Sequence, residues 1–241
     1  MKDATDKPRI LIWDLPVRLF HVGFASCWIA ALFLALGFSH SSRWFPYHSL
    51  VGLVLAFVVA LRIAWAFAGT RHAKLGAFLY SPMAVFQYLK SALTWKDTRH
   101  QAHNPASAYA ILAMIALTVA QVVTGLLVGS GNRRLKDVHE MLAYAMIAVI
   151  VTHVLGVVLH TIRHREFIAL SMITGLKPDL GPEGSAQPIR SSRPVAAVIL
   201  VLATFAFAAA IFRSYNPIRQ STRLPVLGIE IPIGESEEDS E

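Results

Sequence analysis

Cysteine and charge are both scarce in this sequence, and each shortage excludes a class of protein. The 241 residues include a single cysteine, Cys27, so neither an intrachain disulfide nor a cysteine cage for a metal can form. Only 15% of the residues are charged whereas 55% are hydrophobic, which excludes an ordinary soluble domain. Residues 1–15 lack an apolar segment of their own, so we expect no cleavable signal before the first apolar run.

Five apolar runs are each long enough to cross ~30 Å of hydrocarbon. We expect each run to be a helix, because a spanning segment must satisfy its backbone hydrogen bonds internally. The sequence therefore predicts an all-α integral membrane protein. The predicted spans are residues 17–38, 48–68, 106–128, 138–160 and 194–212.

The net charge of +7 is distributed unevenly along the chain. We assign the N-terminus and the loops 70–104 and 161–193 to one side of the membrane. That side then holds fourteen lysines and arginines and the other side holds seven, with Arg62 inside a span. By the positive-inside rule, the N-terminus is predicted to be cytoplasmic and the C-terminus periplasmic. Because the excess charge is explained as a topology signal, we expect no nucleic-acid partner.

The segments outside the spans differ in composition. We expect residues 1–16 to be a cytoplasmic N-terminus, and apolar residues at helical spacing predict an interfacial helix near 82–93. The segment 177–193 is rich in Pro, Gly and Ser and is predicted to be a linker. The segment 213–241 is predicted to be an acidic periplasmic tail, extended or disordered in its last eight residues. The fifth span, 194–212, is given no cofactor role and is expected to face lipid or dock a partner.

Two helix starts carry capping signals. Asn104 followed by Pro105 is typical of an N-cap and a first-turn proline, and it should open the third span. Asp137 and Glu140 are three residues apart, which predicts a capping box at the start of the fourth span.

Four histidines lie near the ends of predicted spans. His139 and His153 are fourteen residues apart on one helix, so they lie within about 40° of each other and ~21 Å apart along it. His21 lies near the start of the first span and His48 near the start of the second. The predicted topology therefore puts His21 and His153 near the inner face, and His48 and His139 near the outer face.

Burying imidazoles in an apolar span is costly unless they bind something. Four histidines at two depths match two haems, each held by two axial imidazoles in a helical bundle. We predict that the haem irons are ligated by the pairs His21/His153 and His48/His139. A single intramembrane histidine is as often a helix–helix hydrogen bond, so the prediction depends on the pairing by depth.

Other residues are expected to surround the haems. Arg62, fourteen residues after His48, is predicted to bind an inner-haem propionate, with Arg18 as a second candidate. Gly52 and Gly125 would let a macrocycle approach the backbone, although small residues also serve plain helix packing.

The remaining histidines have less to support a ligand role. His160 is two turns after His153 and is the main alternative for the inner site, but it lies at the end of the span. We expect the others to be solvated in loops or at interfaces, namely His40, His72, His100, His103 and His164.

Several motifs occur in order along residues 10–177. They are Trp-Asp-Leu-Pro-Val-Arg-Leu-Phe-His at 13–21, His-Ser-Leu-Val-Gly at 48–52, Arg62 with Trp65 and Gly69-Thr-Arg71, His-Asn-Pro-Ala at 103–106, His139-Glu140, His153, and Met-Ile-Thr-Gly-Leu-Lys at 172–177. This order resembles the bacterial cytochrome b561 and nickel-hydrogenase cytochrome b subunit family. The resemblance implies a four-helix transmembrane bundle over 17–176 with two haem b groups, ligated by the four histidines already selected. The fifth transmembrane helix and the acidic tail lie outside the resemblance.

The resemblance implies an electron-transfer subunit in the bacterial inner membrane. We expect a dihaem b-type cytochrome that links the quinone pool to a periplasmic partner, such as a c-type cytochrome or a hydrogenase-like enzyme. A quinone pocket is expected between Arg18, Arg71 and the interfacial helix. The acidic tail would attract a basic cytochrome c.

Two alternative functions stay open. The protein could be a superoxide:quinone oxidoreductase, because cations that could attract an anion flank the outer site, namely Arg43, Arg133, Arg134 and Lys136. It could also be a haem-free metal transporter, which is disfavoured because the four histidines form two distant pairs.

Overall fold

A computed structural model describes residues 8–94, 100–181, 187–225 and 227–233 of the chain. Five of its helices are long and apolar enough to cross a membrane, which confirms the predicted all-α membrane fold. The helices are α1 Leu15–Gly37, α2 Pro46–Ala68, α3 Pro82–Leu93, α4 Pro105–Gly129, α5 Lys136–His164, α6 Ser171–Thr174 and α7 Pro194–Ser214, with 3₁₀ turns at Leu75–Phe78, Arg133–Leu135 and Ile168–Leu170.

The non-spanning helix α3 has the bounds that the apolar spacing predicted. Ser81 is its N-cap and accepts a hydrogen bond from the backbone N–H of Ala84 at 3.2 Å, and Pro82 is its first residue. Asn104 likewise accepts from the backbone N–H of Ser107 at 2.7 Å, so the predicted cap of the third span is confirmed.

The capping box predicted for the fourth span is wrong. The helix α5 begins at Lys136, directly after the 3₁₀ turn Arg133–Leu135, so Asp137 lies inside the first turn instead of at the N-cap. Glu140 accepts a hydrogen bond from the Tyr144 hydroxyl, one turn along the same helix, at 3.2 Å. The preceding turn supplies the first helical residues, and this is why a capping side chain is not needed there.

The chain forms two compact units, and the first consists of Met1–Leu19, Arg62–Ile115 and Ile147–Ala197. In this unit β1 (Arg9–Leu11) pairs antiparallel with β2 (Leu176–Pro178). The backbone N–H of Ile189 donates to Leu11 at 2.9 Å, and that of Leu15 donates to Ser192 at 2.8 Å. The described ends of the segment 177–193, which has the composition of a linker, are therefore held to the N-terminal strand and helix.

The second unit consists of Phe20–Leu61, Ala116–Met146 and Val198–Glu241. Its core is formed by Leu50, Leu53, Ile211 and Ile233, so α2, α7 and the C-terminal segment pack together. The C-terminal segment folds back as an antiparallel hairpin of β3 (Ser221–Arg223) and β4 (Glu230–Pro232). The last eight residues of the predicted acidic tail lie outside the described part of the chain.

Candidate haem site

His48 and His139 lie next to each other in the second unit, as the pairing by depth predicts. His48 is in the first turn of α2 and His139 is in the first turn of α5. Their ring centroids are 6.2 Å apart and their ring planes are at 85°. A bond from imidazole nitrogen to a transition metal is about 2 Å and a ring centre lies about 1 Å further, so two axial imidazoles have centres about 6 Å apart. The observed separation fits one iron between the two rings.

The hydrogen bond of His48 determines which of its nitrogens is available. Its Nδ1 lies 2.8 Å from the backbone carbonyl oxygen of Ala31. Because a carbonyl oxygen only accepts, Nδ1 carries the proton and donates. The Nε2 lone pair is then free to bind a metal, and a carbonyl acceptor behind a histidine ligand is a common way to orient it.

The ring of His139 is oriented by a side chain of α4. Its Nδ1 lies 3.0 Å from the Oγ1 atom of Thr124. Gly125 is the next residue, and a Cβ added there would lie 3.2 Å from Cε1 of His139. The sequence predicted that Gly125 gives room to a macrocycle, and the structure shows that it gives room to the imidazole of a predicted ligand.

Gly52 is four residues after His48 on α2. A Cβ added at Gly52 would have no atom of the described chain within 4 Å. The backbone beside the His48/His139 pair is therefore open on this side, which is the condition that a flat macrocycle needs for close approach.

The described residues contain no group of three or more His, Cys, Asp or Glu side chains that could hold a bare metal ion. Two imidazoles alone do not complete a metal shell, so the His48/His139 pair needs an ion that brings its other ligands with it. Haem iron meets this requirement, because the macrocycle supplies the equatorial nitrogens. The residues present therefore fit haem.

The two histidines predicted for the inner haem belong to different units. His21 lies on α1 within the second unit and is exposed, whereas His153 lies on α5 within the first unit and is partly buried. Their pairing stays a prediction. The alternative ligand, His160, has its Nε2 3.9 Å from a carboxylate oxygen of Glu166, and its ring centroid is 4.6 Å from that of His164.

The two arginines predicted to bind a propionate are both in the first unit. Arg62 donates from Nη1 to the backbone carbonyl of Ala73 at 3.2 Å, and its Cζ lies 5.4 Å from the ring centroid of Phe78. Arg18 donates from Nη2 to the carbonyl of Ile173, and its Nε is buried with no hydrogen-bond partner among the described residues. Both guanidinium groups keep N–H donors beyond these contacts, so both can still bind a carboxylate.

Arg62 also borders a cavity of about 200 Å³ in the first unit. The other lining side chains are apolar, and three of them, Ile63, Phe67 and Leu75, are themselves exposed on the surface of the chain. The cavity is thus an apolar recess with one cation at its wall. Its lining residues are Arg62, Ile63, Ala66, Phe67, Leu75, Phe78, Ile111, Leu112 and Ile115.

The side chain of Asp14 organises the polar part of the first unit, although no role was predicted for this residue. Asp14 is fully buried and accepts from the Trp65 indole N–H at 3.1 Å and the Thr70 hydroxyl at 2.6 Å. It also caps α1 by accepting from the N–H of Val17 at 2.8 Å. A lone carboxylate among apolar residues is a signal that could have predicted these hydrogen bonds of Asp14, because a buried Asp must be hydrogen-bonded.

The prediction that His72 and His103 are solvated is wrong. They are only 5% and 8% exposed, and each Nε2 donates to a backbone carbonyl, that of Gln187 for His72 and that of His72 for His103. The His103 ring lies 4.7 Å from Trp13 and 4.5 Å from Phe78, centroid to centroid. Burial lowers the pKa of His103 to about 3, so this imidazole is neutral at physiological pH.

Lys177 is a further buried cation of this unit. It is 4% exposed, and its Nζ donates to the carbonyl of His100 at 2.9 Å. Burial lowers its pKa to about 8, against the opposing effect of the Glu166 carboxylate.

The family model of prokaryotic cytochrome b561 matches residues 12–175, more than half of the chain. The protein belongs to the prokaryotic cytochrome b561 family. The matched range contains all four predicted ligands, both arginines and both glycines. No curated protein and no solved structure matches the chain.

A cytochrome b561 transfers electrons in a membrane through b-type haem. The five apolar helices of this chain, together with the family, make it a multi-pass membrane protein with lipid and redox partners. The segment after residue 175 is not covered by the family model and includes α7 and the C-terminal hairpin.

Proposed function

We propose that this cytochrome b561 is a dihaem protein of the bacterial inner membrane that passes electrons between the quinone pool and a periplasmic redox partner. The proposal is supported most directly by the His48/His139 pair. The two rings are separated as an iron requires, and the Nδ1 atom of each ring lies against an oxygen acceptor. Each histidine then has an Nε2 lone pair that can bind the iron.

The haem, when bound, supplies one-electron chemistry, and the chain supplies its position and surroundings. His48 and His139 would hold one haem iron through their two Nε2 atoms, so both imidazoles would be used in binding the cofactor. His153 is fourteen residues after His139 on α5, or ~21 Å along the helix, and is proposed to hold a second haem with His21. Haem held by each histidine pair would supply the one-electron chemistry that transfer across a membrane requires.

We propose that quinone binds in the cavity beside Arg62, instead of between Arg18 and Arg71. Neither Arg18 nor Arg71 lines this cavity, and Arg71 already donates to the side chain of Gln187 at 3.0 Å. The cavity offers apolar walls for a quinone ring and the guanidinium of Arg62 for a carbonyl oxygen. Arg62 has five N–H donors, so a contact with quinone is compatible with the predicted contact to an inner-haem propionate.

Proteoliposomes that contain the purified protein test this function. A short-chain ubiquinol in the membrane should reduce the haems, and added basic cytochrome c should then reoxidise them. Substitution Ala66→Trp fills the cavity and excludes the quinone ring, so the quinol-driven step should slow about tenfold or more, which is a loss of about 1.4 kcal/mol of binding. The extent of haem reduction by dithionite should be the same in this variant as in the unaltered protein. The control is Ala209→Trp on the exposed face of α7.

Failure of quinol to reduce the haems of the unaltered protein would contradict the quinone link, and equal rates in both tryptophan variants would contradict the cavity. The superoxide alternative is favoured by Arg133, Arg134 and Lys136, which are exposed just before His139. Stopped-flow mixing with superoxide separates the two functions. Rapid haem reduction that is followed by quinone reduction would favour the superoxide:quinone oxidoreductase.

A further inference from the structure

We propose that Thr124 is a positioning residue for the haem ligand His139, and that it lowers the reduction potential of the haem that His139 holds. The proposal rests on the proposed haem function. It assigns a role to a residue of α4, a helix that supplies none of the predicted ligands.

The hydroxyl of Thr124 has one proton and three neighbours. Oγ1 lies 2.8 Å from the carbonyl oxygen of Ala120, 3.1 Å from that of Gln121, and 3.0 Å from Nδ1 of His139. If the hydroxyl donated to Nδ1, its lone pairs would face two carbonyl oxygens at close range. The favourable arrangement is donation to the carbonyl of the preceding turn and acceptance from Nδ1–H of His139.

The same contact fixes the tautomer of His139. A proton on Nδ1 leaves the lone pair on Nε2, the nitrogen that must bind the iron. The contact from α4 therefore selects the tautomer that can be a ligand.

The adjacent Gly125 supplies the space for this orientation. A Cβ at that position would lie 3.2 Å from Cε1 and 3.6 Å from Nδ1 of His139. Consecutive residues of α4 thus give the ring a hydrogen-bond acceptor and the clearance to reach it.

An acceptor behind Nδ1–H makes an imidazole a stronger electron donor to its metal. Stronger donation stabilises ferric over ferrous iron and lowers the reduction potential. The opposite ligand, His48, uses the backbone carbonyl of Ala31 for the same purpose, which a side-chain substitution cannot remove. Thr124 is therefore the position at which the donor strength of one ligand can be changed alone.

The test compares Thr124→Val, Thr124→Ser and the control Thr204→Val in purified protein. Thr204 makes the same hydrogen bond to the preceding turn of its helix, at 2.8 Å to Leu200, but lies on α7. Haem is quantified per chain, and the potential of each haem is measured by spectroelectrochemical titration. We expect Thr124→Val to raise the potential of one haem and leave the other unchanged. Thr124→Ser and Thr204→Val should both behave as the unaltered protein.

Loss of one haem in Thr124→Val, with both haems kept in Thr124→Ser, would also support the positioning role. Unchanged potentials and full haem content in Thr124→Val would overturn it, because the hydroxyl of Thr124 would then have no effect on the ligand His139. Equal shifts of both haems would overturn it as well. Absence of haem from the unaltered protein would contradict the proposed function itself, so the two failures are distinguishable.

Discussion

At the scale of single residues, the most informative contacts are those behind the two predicted haem ligands. His48 and His139 are recognisable from their positions in the spans, but the sequence cannot show that each Nδ1 lies against an oxygen acceptor. Those contacts come from α1 and α4, at Ala31 and Thr124, which are seventeen and fifteen residues away in sequence. A residue that orients a ligand through such a contact has no sequence pattern of its own.

Gly52 gives a residue-scale test of where the macrocycle lies. An alanine at this position would touch nothing in the described chain within 4 Å, so Gly52→Ala should not disturb the protein fold by itself. If a haem lies against this backbone, the added methyl group must displace it. We therefore expect Gly52→Ala to lower the haem content or change the spectrum of one haem only.

The matched control is Gly76→Ala, because Gly76 is equally open but lies in the 3₁₀ turn Leu75–Phe78. Haem content is measured per chain in both variants after size-exclusion chromatography. Identical, complete haem content in the two variants would show that no haem approaches Gly52.

At the scale of helices and strands, the sequence predicts what depends on local pattern. Hydropathy locates the five spans, since a run such as α4 is apolar along its whole length, and Asn104 marks the start of α4 through a local hydrogen bond. The antiparallel pairs β1–β2 and β3–β4 were not predicted, because each strand has only three residues.

Contacts that are distant in sequence account for the other errors. His72 and His103 are polar residues in a loop and were predicted to be solvated. Their burial depends on Trp13 and Gln187, which pack against them from segments far away in the chain. Composition describes a segment alone and cannot indicate which distant partner covers it.

The C-terminal hairpin gives an element-scale prediction. Ile233 follows β4, is only 4% exposed and belongs to the core with Leu50, Leu53 and Ile211. Truncation of a buried isoleucine leaves a cavity and costs about 2–5 kcal/mol. Ile233→Ala should therefore lower the thermal unfolding midpoint of the detergent-solubilised protein by several degrees.

The control for that measurement is Ile218→Ala. Ile218 is 93% exposed, so this substitution removes the same atoms without leaving a cavity. Equal midpoints for the two variants would contradict the packing of the C-terminal segment against α2 and α7. A C-terminal deletion that tests whether the acidic run attracts a cytochrome c should therefore end after Ile233, so that lost charge is not confused with lost packing.

At the scale of the whole molecule, every spanning helix contributes residues to both compact units. His48 and His139 fall in one unit and His153 in the other. His21 belongs to the same unit as His48 and His139, in the segment of that unit that begins at Phe20. The histidine pattern thus predicts two haems, of which the site held by His48 and His139 is supported by direct contacts.

The haem content of single and double histidine variants is the first test of the haem site proposed at His48 and His139. Pyridine haemochrome analysis and reduced-minus-oxidised spectra should give two b haems per chain in the unaltered protein. His48→Ala and His139→Ala should each lose the same single haem, and the double variant should lose no more, because both residues ligate one iron. A folded, monodisperse protein without haem, or additive losses in the double variant, would contradict a haem held jointly by His48 and His139.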